Sequence, residues 1–254
     1  TTVRNNRAAE GGGVYSLTGT MRVQDAACVR NNVGTAYGGG IYGGDDTYIA
    51  VGGGAFAEQR GFIVSNRAAQ GGGIYMFLNS SFDGNNARLY SNTTTGAADW
   101  GGAYFSQGGD TGAISGVGRQ CTSCCIVGNN ALDNYAVYQD INGLASPWKG
   151  NWWGNNWGPR MNDAAPLTGS NVSNGDGINQ NGTGIAPSRI DVGILTYGTH
   201  SVAPTGDWLV NPGPPSVPSD CQAFVCNPTS SVAPGTRSCN APTSCGIPDT
   251  DIRP

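Results

Sequence analysis

The 254-residue chain contains 42 glycines, only 12% charged residues and a net charge of −4, with 38% hydrophobic residues. This excludes a collagen helix, because no G-X-Y period accompanies the glycine, and a disordered chain, because the apolar residues are too many and too regularly placed. It also excludes a nucleic-acid partner read through a basic stripe, and no apolar run approaches the ~20 residues of a membrane span.

Twelve of the thirteen basic residues are Arg, Lys149 being the exception, and Glu10 and Glu58 are the only glutamates. Long helices draw heavily on Glu and Lys, so this composition points to strands and tight turns. The sequence enters at Thr1-Thr2-Val3. It lacks Met or a leader there and is already inside a repeat, as expected of a processed chain or a fragment.

Residues 1–145 hold five related segments. They are V-R-N-N-R-A-A-E-G-G-G-V-Y from Val3, V-R-N-N-V-G-T-A-Y-G-G-G-I-Y from Val29 and I-V-S-N-R-A-A-Q-G-G-G-I-Y from Ile63. More divergent copies start at Leu89 and Val127. In each, an aliphatic residue precedes an Asn by three positions: Val3/Asn6, Val29/Asn32, Ile63/Asn66, Leu89/Asn92 and Val127/Asn130. Each ends on an aromatic, at Tyr15, Tyr42, Tyr75, Tyr104 and Tyr138, with gaps of 27, 33, 29 and 34 residues. A unit near thirty residues with short apolar runs and Gly corners is one coil of a solenoid, and stacked coils pair their backbones about 4.8 Å apart. The expected fold is an all-β, right-handed parallel β-helix of about five rungs. Val3, Val29, Ile63, Leu89 and Val127 are expected to form one inner column. Asn6, Asn32, Asn66, Asn92 and Asn130 are expected to form a side-chain amide ladder beside it.

The aliphatic-x-x-Asn element followed by G-G-[GA]-[IVY] resembles the repeat of polymorphic outer-membrane proteins, whose motifs are F-x-x-N and G-G-A-[ILVY]. Val, Ile or Leu replaces the Phe here. The resemblance covers roughly residues 1–140 and implies a β-helix on a cell surface, often adhesive. It brings no catalytic residues, and the family's membrane-anchoring barrel has no counterpart in this sequence.

Residues 146–202 include, from Trp148, the string W-K-G-N-W-W-G-N-N-W-G-P, which holds Trp148, Trp152, Trp153 and Trp157. Four Trp in ten residues can plug the open end of a solenoid or form a carbohydrate platform, and the plug is the favoured expectation. The N-W-W-G…G-P string resembles a segment near the C-terminal end of β-helix surface proteins. Residues 203–254 carry ten of the fourteen Pro and four of the eight Cys, the composition of an extended arm lying along its own solenoid or reaching a neighbour.

The cysteines, Cys28, Cys121, Cys124, Cys125, Cys221, Cys226, Cys239 and Cys245, are disulfide candidates and point to an oxidising compartment. Cys221/Cys226 and Cys239/Cys245 are spaced for small local loops, although connectivity is not readable from sequence. Sequons at Asn79, Asn92, Asn171 and Asn181 are N-glycosylation candidates and fit secretion. Asp45 and Asp46, adjacent in a Gly-rich turn, are the one Ca²⁺ candidate, more simply a surface loop.

Polysaccharide lyases and hydrolases share the β-helix fold, but the carboxylate clusters their chemistry needs are not legible. Arg189-Ile-Asp stands where the hydrolases have Arg-Ile-Lys, and His200 suits a solvated role. The expectation is therefore a secreted or cell-surface structural or adhesive protein. It is non-enzymatic and cofactor-free, and it associates end to end or with a surface or matrix partner, glycans among them. Carbohydrate processing and glycan binding are the alternatives.

Overall fold

The computed structural model describes residues 1–53, 59–96, 101–107 and 120–129, residues 151, 220, 221, 224 and 240–245, and the strand backbones of 135–140, 145–147, 160–162, 177–180 and 189–191. Its strands run in repeating sets of four. The first coil comprises β1 (Thr2–Arg4), β2 (Arg7–Glu10), β3 (Val14–Ser16) and β4 (Gly19–Val23). The second holds β5 (Cys28–Arg30), β6 (Val33–Tyr37), β7 (Ile41–Gly43) and β8 (Thr47–Val51). The third holds β9 (Phe62–Val64), β10 (Arg67–Ala68), β11 (Ile74–Phe77) and β12 (Ser81–Asn85). The fourth holds β13 (Arg88–Tyr90), β14 (Thr93–Thr94), β15 (Tyr104–Gln107) and β16 (Gln120–Thr122). A further coil opens with β17 (Cys125–Val127) and β18 (Tyr135–Asp140). Beyond it lie β19 (Ala145–Pro147), β20 (Arg160–Asn162), β21 (Gly177–Gln180) and β22 (Arg189–Asp191).

Every strand pairing among the described residues is parallel, and from β1 to β18 each joins one coil to the next, so the chain is a parallel β-solenoid. Among the described residues four coils show all four strands and a fifth shows β17 and β18, so the rung count differs slightly from the expected five. Sheet A stacks β1-β5-β9-β13-β17, sheet B stacks β2-β6-β10-β14, sheet C contains β3-β7-β11-β15-β18 and sheet D stacks β4-β8-β12-β16.

The inner column of sheet A is Val3, Val29, Ile63, Leu89 and Ile126. It packs against Ile41, Ile74 and Tyr104 of sheet C and Ile49 and Phe82 of sheet D in one core. Val127 is a correction to the expected column: it aligns with Tyr90 and Val64 and faces outward. Tyr104 slips likewise. It registers with Ile74 inside, and Phe105 aligns with Tyr75.

The ladder runs along the corner after sheet A. Asn6 Nδ2 donates to Asn32 Oδ1 at 3.1 Å, Asn32 Nδ2 to Asn66 Oδ1 at 3.1 Å, Asn66 Nδ2 to Asn92 Oδ1 at 3.1 Å and Asn92 Nδ2 to Asn129 Oδ1 at 2.9 Å. The second amide proton of each buried member closes on the preceding coil's backbone, as in Asn66 Nδ2 to Val29 O at 2.9 Å. These bonds satisfy a corner whose peptide groups would otherwise be buried without partners. Asn129 takes the place expected for Asn130, which lies outside the described residues.

Two glycine positions have a structural reason. The first of each Gly-Gly run takes a left-handed φ, 56° at Gly11, 60° at Gly38, 60° at Gly71 and 69° at Gly101, which glycine adopts without steric cost. The third lies against the ladder: a Cβ on Gly40 would come within 3.0 Å of the Asn66 side chain.

Candidate functional site

The most elaborated surface is the outer face of sheet A, where segments of the C-terminal arm lie on the solenoid. Strand alternation turns Cys28, Phe62, Arg88 and Cys125 outward in one column, and Val64, Tyr90 and Val127 outward in another. Exposed to water, this would be an apolar patch. It is instead covered. Val64, Tyr90, Val127, Cys28 and Cys125 form a buried cluster with Cys221 and Cys245, against which Phe62, Phe224 and Ala241 pack.

The arm is fastened at both ends. Cys125 of the fifth coil is bonded to Cys221 and Cys28 of the second coil to Cys245, with Cα atoms 5.7 and 6.3 Å apart. Cys245 therefore sits nearer the N-terminal end of the stack than Cys221 does. Ser91 Oγ donates to Pro242 O at 3.0 Å and Ser65 Oγ to Thr243 O at 3.2 Å, while Tyr90 and Phe224 meet edge to face at 5.5 Å. The local loops expected from Cys221/Cys226 and Cys239/Cys245 are thus corrected: Cys221 and Cys245 bond to the solenoid. Cys226 and Cys239 lie outside the described residues. A third cystine, Cys121–Cys124, closes the turn between β16 and β17.

Arg88 anchors the middle. It is 1% exposed, and its Nη2 donates to both carboxylate oxygens of Asp220 at 3.1 Å. Its Nη1 donates to the carbonyls of Asn86 at 3.1 Å and Ala87 at 3.2 Å. Arg60 adds a second cation, 3.2 Å from Asp220. Burial lowers the pKa of Arg88, and the Asp220 carboxylate opposes that shift. Burial likewise raises the Tyr90 phenol well above its ordinary value. Removing one partner of such a pair leaves a buried charge unmatched, so Asp220 holds the arm as firmly as its bonds allow.

The sulfurs of Cys125 and Cys221 and the Asp220 carboxylate converge within 4.8 Å, the only such group of potential metal donors among the described residues. The two sulfurs are bonded to each other and the carboxylate to two guanidiniums, so this donor set does not suit a cation.

Other expected sites fall elsewhere. Asp45 and Asp46 occupy an exposed turn, and among the described residues no third acid joins them. Asn92 is a correction: it is fully buried in the ladder with both amide protons bonded, so a glycan has no access to it in the fold. Asn79 sits half-buried in a turn after β11. Asn171, Asn181, His200, Trp148, Trp152, Trp153 and Trp157 lie outside the described residues. Asn151, within the Trp-rich segment, is buried and bonds to the turn at Cys121–Cys124, accepting from Cys124 N at 2.8 Å and donating to Cys121 O at 2.9 Å.

Two further clusters were not foreseen. On the outer face of sheet C, Tyr15, Tyr42, Tyr75 and Phe105 stack with centroid spacings of 5.0, 5.4 and 5.0 Å. Burial, with nearby Glu10, pushes the Tyr42 phenol up to about 12. Tyr75 is hydrogen-bonded to Gln107 Oε1. On the outer face of sheet D, Asp83 accepts from Tyr48 Oη and Gln120 Nε2, both at 3.2 Å. Burial and then Asp83 raise the Tyr48 pKa.

The arm's seat was missed because the residues it joins lie 96 and 217 residues apart. One signal was present: Arg88 occupies a column whose other members are Cys28, Phe62 and Cys125, where a charge needs a partner. No protein-family model, curated protein or solved structure matches the chain.

Proposed function

We propose that the chain is an extracellular structural or adhesive protein, a non-enzymatic rod that associates end to end. The observation that carries this reading is the parallel stack itself, in which coil joins coil through four sheets, so that a coil of a second copy can add at an outer edge of the stack by the same pairing. Tyr15 stands 48% exposed at the end of the aromatic stack and is stacked on one face by Tyr42. A second copy docked on that edge makes a heterologous contact, and repetition of such a contact gives an open filament. The cystines support secretion into an oxidising compartment.

A second reading, glycan binding, is favoured by the exposed Tyr15 ring, since aromatic faces stack on sugar rings. Negative-stain images and light scattering of the intact oxidised chain over rising concentration test the first reading. Rods that lengthen with concentration are expected; monodisperse monomers at high concentration contradict it.

A further inference from the structure

We propose that the Cys28–Cys245 cystine is a tension bypass, through which a pull on the two ends of the chain crosses the solenoid without loading coils two to five. The argument is one of covalent connectivity. From Thr1 the backbone reaches Cys28 after 27 residues, the disulfide steps to Cys245, and nine residues remain to Pro254. The bond spans a sequence separation of 217 residues, and that enclosed length carries no tension while the bond is closed. It includes β5 to β17, with the ladder from Asn32 to Asn129. Only the first coil and the last nine residues lie in the path.

The seat of the arm fits this role. Cys245 reaches the second coil while Ser65, Ser91 and Arg88 of the third and fourth coils hold Thr243, Pro242 and Asp220. The described segments of the strap are therefore held against the coils they touch. Cys125–Cys221 lies inside the enclosed segment and is a second stop. If Cys28–Cys245 opens, the path runs through Cys125–Cys221, which still encloses 96 residues. The first opening thus frees 121 residues, the difference between 217 and 96, and the second frees those 96.

The bypass is also redox-gated, and the two bonds differ in access. Cys245 is 8% exposed, Cys28 is 1% exposed, and Cys125 and Cys221 are fully buried. An external dithiol opens the first bond. One of its thiolates attacks Cys245 Sγ, Cys28 leaves as a thiolate and takes up a proton, and the second thiol then attacks the mixed disulfide. The reductant departs as a cyclic disulfide, leaving Cys28 and Cys245 as thiols. Buried Cys125–Cys221 is expected to react later.

The usefulness of the bypass to a rod under load rests on the proposed function; its existence does not, because the test uses single molecules. The intact chain is held by handles at residues 1 and 254 in optical tweezers. Oxidised wild type is expected to release the contour of about 36 residues, roughly 120 Å at ~3.3–3.6 Å per residue. The double variant Cys28→Ser/Cys245→Ser, with Cys125–Cys221 closed, is expected to release about 400 Å more. Wild type folded oxidised and then pulled in dithiol gives the same first gain, so a variant that failed to fold leaves the question decided. An oxidised wild type that extends by several hundred ångströms, or dithiol and the double variant both failing to lengthen it, overturns the proposal. Absence of filaments alongside a confirmed bypass would overturn only the end-to-end reading.

Discussion

The first and third coils have nearly the same sequence, V-R-N-N-R-A-A-E-G-G-G-V-Y and I-V-S-N-R-A-A-Q-G-G-G-I-Y, yet they occupy different environments. In the third, Ile63, Asn66 and Ala68 are fully buried and Tyr75 is 1% exposed. Their counterparts Asn6 and Ala8 are exposed, Val3 is half-buried and Tyr15 is 48% exposed. The third coil pairs on both sides, β9 with β5 and β13 and β11 with β7 and β15, whereas the first pairs on one side. In a solenoid, then, a residue's interior character comes from its neighbours in the stack as much as from its own coil.

The comparison is broken most severely by charge. Ile63→Asp is expected to unfold the coils, a loss above about 4 kcal/mol, because among the described residues its core cluster is apolar and holds no cation. The matching Val3→Asp is expected to cost about 1 kcal/mol. Circular dichroism through a denaturant titration of the intact oxidised chain measures both. Equal losses at the two sites would mean that position in the stack does not set burial.

A smaller contrast lies in the ladder. Asn66 accepts from Asn32 N and Nδ2 at 3.0 and 3.1 Å and donates to Val29 O and Asn92 Oδ1 at 2.9 and 3.1 Å. Asn66→Ala strands buried groups on both adjacent coils and is expected to cost about 3 kcal/mol. Asn6→Ala removes the side-chain bond to Asn32 Oδ1 at the exposed end, leaves the backbone one, and is expected to cost about 1 kcal/mol or less. The same titrations, compared by midpoint, sharpen the difference; a ladder residue replaceable at no cost in the third coil would remove the ladder from the account.

The sequence announced the solenoid because both ends of its unit recur, and four of the five ladder positions follow from that alignment. The fifth slipped by one residue because Val127-Gly128-Asn129-Asn130 offers two adjacent Asn. The backbone resolves it. The residue before each ladder Asn is left-handed, with φ of 59° at Asn5, 54° at Asn31, Ser65 and Ser91, and 72° at Gly128. Gly128 is the residue in that stretch that takes this conformation without cost, so Asn129 follows it. Tyr104 was misplaced by the same kind of slip, since Tyr104-Phe105 offers two aromatics for one outward position. The strap was legible only as an extended Pro-rich arm that could lie along its solenoid; its seat was not. A pairing such as Cys28 with Cys245 depends on how many coils intervene and on which face each strand presents, and no local pattern encodes that. The buried sequon at Asn92 went unrecognised for a related reason: one Asn-Thr-Thr reads alike whether it turns outward or into a ladder.

Hydrogen exchange on the oxidised chain tests most directly whether the stack sets stability. Amides of Phe62–Ala68 and Arg88–Thr94 are expected to exchange at the slow rate of global unfolding. Those of Thr2–Glu10 are expected to exchange orders of magnitude faster by local opening. Uniform protection across the first and third coils, or faster exchange in the third, would contradict a solenoid whose order is supplied by its neighbours.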